Sequence, residues 1–134
     1  PDLHRSIGIL FAGLVVFDFV SRMLQVSPGV LSSHSLVEIR LSKIVRWILR
    51  LLIGLVIISG YLISTAKGAS IPVFEWFSVP ATITFIPDQE DAAGQAHMVL
   101  AYLLVLIAAG HASAAIKHHF IDKDTTLKRM FRFD

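Results

Sequence analysis

The stretch QAHMVLAYLLVLIAAGHASAAIKHH, Gln95–His119, decides the fold. It is mostly apolar, yet it carries His97 and His111, which are fourteen residues apart. In an α-helix this separation is a rise of about 21 Å, and it returns the second side chain to within about 40° of the first. The stretch therefore predicts a membrane helix with one histidine near each side of a hydrocarbon layer about 30 Å thick.

The composition is that of a membrane protein. Of the 134 residues, 54% are hydrophobic, and the charges are concentrated in a few places, which leaves long uncharged runs. Cysteine is absent, so disulfides, Fe–S clusters and thiolate-ligated haem are excluded. The net charge of +2 is small and does not indicate a nucleic-acid partner. We expect one domain over residues 1–134, an all-α transmembrane helical bundle in contact with lipid.

Three apolar segments predict three membrane helices, at about residues 3–24, 44–65 and 95–119. The connection 66–94 between the second and third helices is rich in proline and aromatic residues, which is typical of the membrane–water boundary. A polar, basic tail follows over residues 120–134.

Lysine and arginine are concentrated in the first connection and in the tail. The positive-inside rule therefore places the C-terminus in the cytoplasm and the 66–94 loop outside. With three crossings the first helix then starts on the outer side. We expect a further membrane helix upstream of Pro1.

Histidines fall at two depths of the predicted bundle. His4 and His97 begin the first and third helices on the outer side, so they can face each other and bind a haem iron axially. Gly8, one turn after His4, leaves room for a macrocycle. His111 lies near the inner side within a run of Ala, Gly and Ser, which suits a flat cofactor or plain helix packing. It has no partner at its depth in this chain.

Charged residues near the inner side form two further groups. Asp18 and Arg50 have matched depths, which predicts an ion pair between helices because an unpaired charge in a membrane is costly. Lys117, His118 and His119 close the third helix. This cluster either complements the helix dipole or binds a quinone headgroup and passes protons to it, and the residues leave both open.

Four blocks of the chain closely resemble the bacterial cytochrome b561 family, which includes the superoxide oxidase. They are LHRSIGIL (Leu3–Leu10), SGYLISTAKG (Ser59–Gly68), FEWFSVPA (Phe74–Ala81) and GHASAAIKHHFIDKDTTLKRM (Gly110–Met130). The resemblance implies a four-helix protein of the bacterial inner membrane that holds two b haems, each between two histidines. His4 and His97 resemble the outer pair, and His111 resembles one inner ligand. The fourth ligand belongs to the family's first helix, which this chain lacks.

The resemblance also implies a function. We expect a haem b-containing electron-transfer protein that takes electrons from an outer donor and exchanges them with ubiquinone, with superoxide oxidation as the activity of one branch. Homo-oligomer formation stays open. Two alternatives remain: a cytochrome b subunit that docks a hydrogenase- or formate-dehydrogenase-like partner, and a haem-free membrane scaffold with interfacial histidines.

Overall fold

The computed structural model describes residues 2–25 and 36–120, apart from the side chains of His118 and His119, so the predicted tail beyond Phe120 lies outside it. The elements are α1 (Asp2–Leu24), α2 (Leu36–Thr65), β1 (Ile71–Val73), β2 (Phe77–Val79) and α3 (Gln89–Phe120). Within the described residues, three helices are long and apolar enough to cross a membrane. The predicted all-α transmembrane bundle is confirmed, with a small hairpin added.

The second helix begins at Leu36, earlier than the predicted start near residue 44. The charged residues Glu38, Arg40 and Lys43 lie inside it. Their charges mark the end of the apolar span and not the end of the helix. A helix of 30 residues is about 45 Å long, so it extends well beyond a hydrocarbon layer of about 30 Å.

The third helix also begins earlier than predicted, at Gln89 instead of residue 95. Glu90 and Asp91 lie in its first turn, where carboxylates are stabilised by the helix dipole. The Ala92 N–H donates to the Asp88 carbonyl at 3.0 Å and closes that turn. The acidic segment that the sequence placed in the outer loop is therefore the first turn of α3.

The shortened connection between α2 and α3 contains a β-hairpin. The second helix ends where Gly68, at φ +77°, donates its N–H to the Thr65 carbonyl at 2.9 Å, a common form of helix C-cap. Strands β1 and β2 then pair antiparallel, with Ile71 opposite Val79 and Val73 opposite Phe77.

The buried residues gather at one end of the bundle. This hairpin end consists of the start of α1, the end of α2, the hairpin and the start of α3. Large apolar side chains along the helices are exposed, as expected for surfaces that face lipid. Helix α2 packs most extensively against α3, and α1 contacts β1 more than it contacts α2. The buried residues at the hairpin end are Ser6, Ser59, Thr65, Ile71, Val73, Gln89 and Ala93.

Candidate functional site

Two histidines from different helices face each other at the hairpin end. His4 lies in the first turn of α1 and His97 in the third turn of α3. Their ring centroids are 6.1 Å apart, and the ring planes are 85° from parallel. Two imidazoles that bind one metal ion from opposite sides, each nitrogen about 2.0 Å away, have centroids about 6 Å apart. The pair, called here the His4–His97 site, has a centroid separation that would allow both rings to bind one metal ion.

The ring of His97 is fixed by two acceptors on α2. Its Nδ1 lies 3.0 Å from the Val56 carbonyl oxygen and 3.0 Å from the Ser59 Oγ. A carbonyl only accepts, so Nδ1 carries the proton and donates. The Ser59 hydroxyl donates to the same carbonyl at 3.0 Å, which leaves its lone pairs for His97. The Nε2 of His97 therefore keeps its lone pair, as a metal ligand requires.

Glycine at position 60 allows this close packing of α3 on α2. A Cβ added at Gly60 would lie 3.2 Å from Cε1 and 3.5 Å from Nδ1 of His97. The shorter distance is tighter than ordinary van der Waals contact, so a side chain here would push the imidazole away. Gly60 therefore positions the His97 ring by having no side chain.

A cavity of about 700 Å³ adjoins both histidines. This volume is within the range of cofactor sites. All three helices contribute to its walls, which are mainly apolar. Gly8, predicted to leave room for a macrocycle, lines the cavity, and a Cβ added there meets no atom within 4 Å. The cavity can take a flat, largely apolar group between the helices.

Charged residues lie on one rim of the cavity. Arg5, Lys67 and Glu90 line it, and the Lys67 Nζ lies 2.7 Å from a Glu90 carboxylate oxygen. The hydrogen bond to Glu90 raises the pKa of Lys67 above its usual value. An apolar interior with cations at the rim suits haem, whose ring is apolar and whose side groups include carboxylates.

The predicted second haem site is represented only by His111. Its side chain is half-buried on α3. Within residues 2–25 and 36–120 it has neither a hydrogen bond nor a ring partner. Its role as a haem ligand stays a prediction.

The predicted quinone or proton cluster is described only in part. Lys117 is exposed near the end of α3. The side chains of His118 and His119 lie outside the described residues.

Asp18 contacts Arg22 on its own helix, at 2.7 Å. Residues four apart on one helix are neighbours, so this pair needs no contact with another helix. The predicted ion pair between Asp18 and Arg50 stays a prediction. The guanidinium of Arg50 lies 5.8 Å from the ring centroid of Trp47, a cation–π contact on α2 itself.

Three residues around His97 were not identified from the sequence as part of the site. They are Val56, Ser59 and Gly60, all on the face of α2 that meets α3. Ser59 and Gly60 open the block SGYLISTAKG that carries part of the family resemblance. That block was the available signal, but it does not reveal which histidine these residues contact.

Comparison with known proteins gives a family match over almost the whole chain. Residues 1–133 match the family described as prokaryotic cytochrome b561. The chain is 46% identical over 130 residues to cytochrome b561 homolog 2 of Escherichia coli (strain K12), covering 97% of this chain and 69% of that protein. It is 27% identical over 128 residues to the probable superoxide oxidase CybB of Yersinia pestis, covering 96% and 72%. The chain therefore belongs to the prokaryotic cytochrome b561 family of bacterial membrane electron-transfer proteins, a membership that implies haem b binding.

Proposed function

We propose that this protein transfers single electrons through a haem b bound between His4 and His97, and exchanges them with membrane quinone. The observation that carries the proposal is the facing of the two imidazoles, with ring centroids 6.1 Å apart. The Nδ1 hydrogen bonds of His97 support it, because they leave Nε2 free to bind iron.

The residues around the cavity have separate roles in this proposal. When bound, haem supplies one-electron redox chemistry. His4 and His97 would hold the iron, and Gly8 would leave space for the ring. Arg5 and Lys67 on the rim offer donors to the carboxylate groups. The apolar walls exclude water, which affects the redox potential.

We also propose a membrane topology and a second haem site for this protein. The excess of Lys and Arg near the other end of the bundle favours a cytoplasmic C-terminus in the bacterial inner membrane, with the hairpin end outside. His111, about 21 Å from His97 along the helix axis, is one ligand of a second haem whose other ligand lies outside the described residues. Lys117, His118 and His119 then form the quinone and proton site.

The similarity to a probable superoxide oxidase favours superoxide as the outer electron donor. Each superoxide anion gives one electron and leaves as O₂. Two electrons and two protons reduce one quinone to quinol. A complex with a hydrogenase-like partner is the alternative, and co-purification of such a partner would favour it.

A reduced-minus-oxidised absorption spectrum tests the haem proposal. The natural full-length protein is purified from membranes and its haem is quantified by the pyridine method. We expect a b-type α-band. We also expect His4→Ala and His97→Ala each to lose the same haem component.

The control is Ser113→Ala, which removes a hydroxyl that within the described residues bonds the Ala109 carbonyl of its own helix. Ser113 lies sixteen residues from His97, about 24 Å along α3, so this variant is expected to keep the haem component that depends on His4 and His97. The absence of a b-type band in the unmutated protein, or unchanged haem in both histidine variants, would refute the proposal.

A further inference from the structure

The free edge of β1 faces α1. Pro72 lies opposite Ser78 in the hairpin, and because proline has no N–H, the carbonyl is the only backbone polar group that this residue presents at the strand edge. The Pro72 carbonyl and the Phe74 N–H point away from β2, toward α1. Such unpaired groups on a strand edge need a partner when they are buried.

The Ser6 hydroxyl supplies that partner. It accepts the Phe74 N–H at 3.2 Å and donates to the Pro72 carbonyl at 3.4 Å. Ser6 is 4% exposed, so water does not replace these bonds. A single side chain of α1 therefore occupies the position that a neighbouring strand would take.

The hairpin is also attached to α2. The Tyr61 hydroxyl donates to the Pro80 carbonyl at 2.9 Å and accepts the Thr82 N–H at 2.9 Å. Ile71 of β1 lines the cavity, and Val73 is completely buried. The hairpin and the segment that follows it thus connect α1 to α2, and Ile71 forms part of the cavity wall.

The turn of the hairpin adopts a costly backbone conformation. Phe74 and Glu75 have φ values of 46° and 62°, a region that disfavours residues with a side chain. The Phe74 N–H is held by Ser6, and the Trp76 N–H donates to the Val73 carbonyl at 2.9 Å. Strain of this kind persists where surrounding contacts fix the backbone.

His4 depends on its helix for its position. His97 has its own hydrogen bonds to α2. The ring of His4 has no hydrogen bond within the described residues, and its ring partner there is His97. Among the described elements α1 contacts β1 more than α2, so the hairpin contributes most to holding α1. Ser6 is two residues from His4, about 3 Å along the helix axis.

We propose that Ser6 is a positioning residue for the His4–His97 site. Its hydroxyl, bound to the free edge of β1, holds α1 at the distance where His4 faces His97. The inference rests on the proposed haem function. Without the hydroxyl, His4 would face His97 less often, and a haem held at this site would be open to an external ligand.

Carbon monoxide binding to the reduced full-length protein tests this role. Ser6→Ala is expected to raise the CO-reactive fraction of the haem at the His4–His97 site about tenfold, the size expected for two lost hydrogen bonds. Ser6→Thr restores the hydroxyl and is expected to return the fraction toward that of the unmutated protein. Ser113→Ala is the control and is expected to leave the CO-reactive fraction at this site unchanged.

The outcomes separate this inference from the proposed function. If the unmutated protein has no haem that depends on His97, the proposed function fails. If that haem is present and Ser6→Ala behaves like Ser113→Ala, the positioning role fails.

If the Ser6→Ala variant does not accumulate in the membrane, a second measurement tests the positioning role of Ser6. Amide hydrogen exchange on the unmutated holoprotein is expected to show strong protection at Phe74, because its N–H is bound to Ser6. Exchange of Phe74 at the rate of an unstructured amide would overturn the inference.

Discussion

At the scale of single residues, His4 and His97 are held by different contacts. His97 donates from Nδ1 to Val56 and Ser59, and Gly60 fixes the space beside its ring. Acceptors on a ligating imidazole raise its basicity and tune the metal. The hydrogen bonds of His97 are therefore expected to influence the redox potential of the proposed haem more than the contacts of His4 do.

Replacement of Ser59 with alanine tests this tuning. The variant removes one of the two acceptors of His97 Nδ1 and keeps the Val56 carbonyl. A less basic imidazole stabilises ferric iron less. The midpoint potential of this haem is therefore expected to rise by roughly 20–40 mV, which corresponds to part of the free energy of one hydrogen bond. A potentiometric titration measures it. Ser113→Ala is expected to leave the potential unchanged, and an equal or lower potential in Ser59→Ala would contradict the argument.

Substitutions at Gly60 test the packing of the His97 ring. Gly60→Ala places a methyl group 3.2 Å from Cε1, so we expect partial loss of low-spin haem, and nearly complete loss with the larger Gly60→Val. The control is Gly54→Ala on the same helix, where an added Cβ meets no atom within 4 Å. It is expected to keep all its haem and to gain up to about 1 kcal/mol of helix stability. Equal haem in Gly60→Val and Gly54→Ala would refute the packing role.

The sequence predicts part of this site and not the rest. The depths of His4 and His97 follow from their places near the helix starts, and the structure brings the two rings together; their ligation of haem stays a prediction. The contacts of Ser59 and Gly60 depend on how α2 is rotated against α3. The apolar residues of α3 are spread almost evenly around the helix, so its sequence gives no distinct buried stripe and does not specify that rotation.

At the scale of elements, the sequence predicts the number of membrane helices in the described residues, but it does not predict where α2 and α3 begin. The charges at Glu38, Arg40 and Lys43 end the apolar span, and the helix nevertheless continues through them. Likewise Glu90 and Asp91 are charged and lie in the first turn of α3. Hydropathy reports where the hydrocarbon layer ends, whereas backbone hydrogen bonds and end charges decide where a helix ends. The hairpin was missed because Phe74 and Glu75 are not the glycine or asparagine that usually marks such a turn.

The ion pair between Lys67 and Glu90 joins the end of α2 to the start of α3, and its effect on stability depends on pH. The pKa of Lys67 is raised above 10.5 by the hydrogen bond to Glu90. Its stabilising contribution is therefore complete below the unfolded pKa and is lost as pH rises through the folded pKa. We expect the thermal midpoint of the unmutated protein to exceed that of Lys67→Met slightly near neutral pH.

The pH series supplies the control for this prediction. Both side chains are substantially exposed, at 80% and 48%, so the difference in midpoint is small. It is expected to shrink as the pH passes above the folded pKa of Lys67. A difference that stays constant through that range would show that the substitution acts through packing and not through charge.

At the scale of the whole molecule, the polar contacts between elements are concentrated at the hairpin end. Ser6, Ser59, Tyr61 and Gln89 each bond to another element there, while the helix exteriors are apolar and exposed. In lipid, apolar surface gives little drive for helices to associate, so packing and hydrogen bonds hold them together. The region around the proposed haem is therefore the best-fixed part of the described chain.

The angle between the two imidazole rings gives the most direct test of the central claim. The ring planes are 85° from parallel. Axial ligands control the electronic state of haem iron. With perpendicular imidazoles the two iron orbitals that mix with the rings stay close in energy, and the ferric low-spin signal becomes strongly anisotropic. Parallel rings separate the orbitals and give an ordinary rhombic signal.

Electron paramagnetic resonance of the oxidised full-length protein measures this property. If His4 and His97 bind the haem iron, we expect a strongly anisotropic low-spin signal. This signal is expected to disappear in both His4→Ala and His97→Ala and to persist in Ser113→Ala. A spectrum without any low-spin haem signal, or one whose anisotropic signal survives removal of either histidine, would contradict haem ligation by His4 and His97.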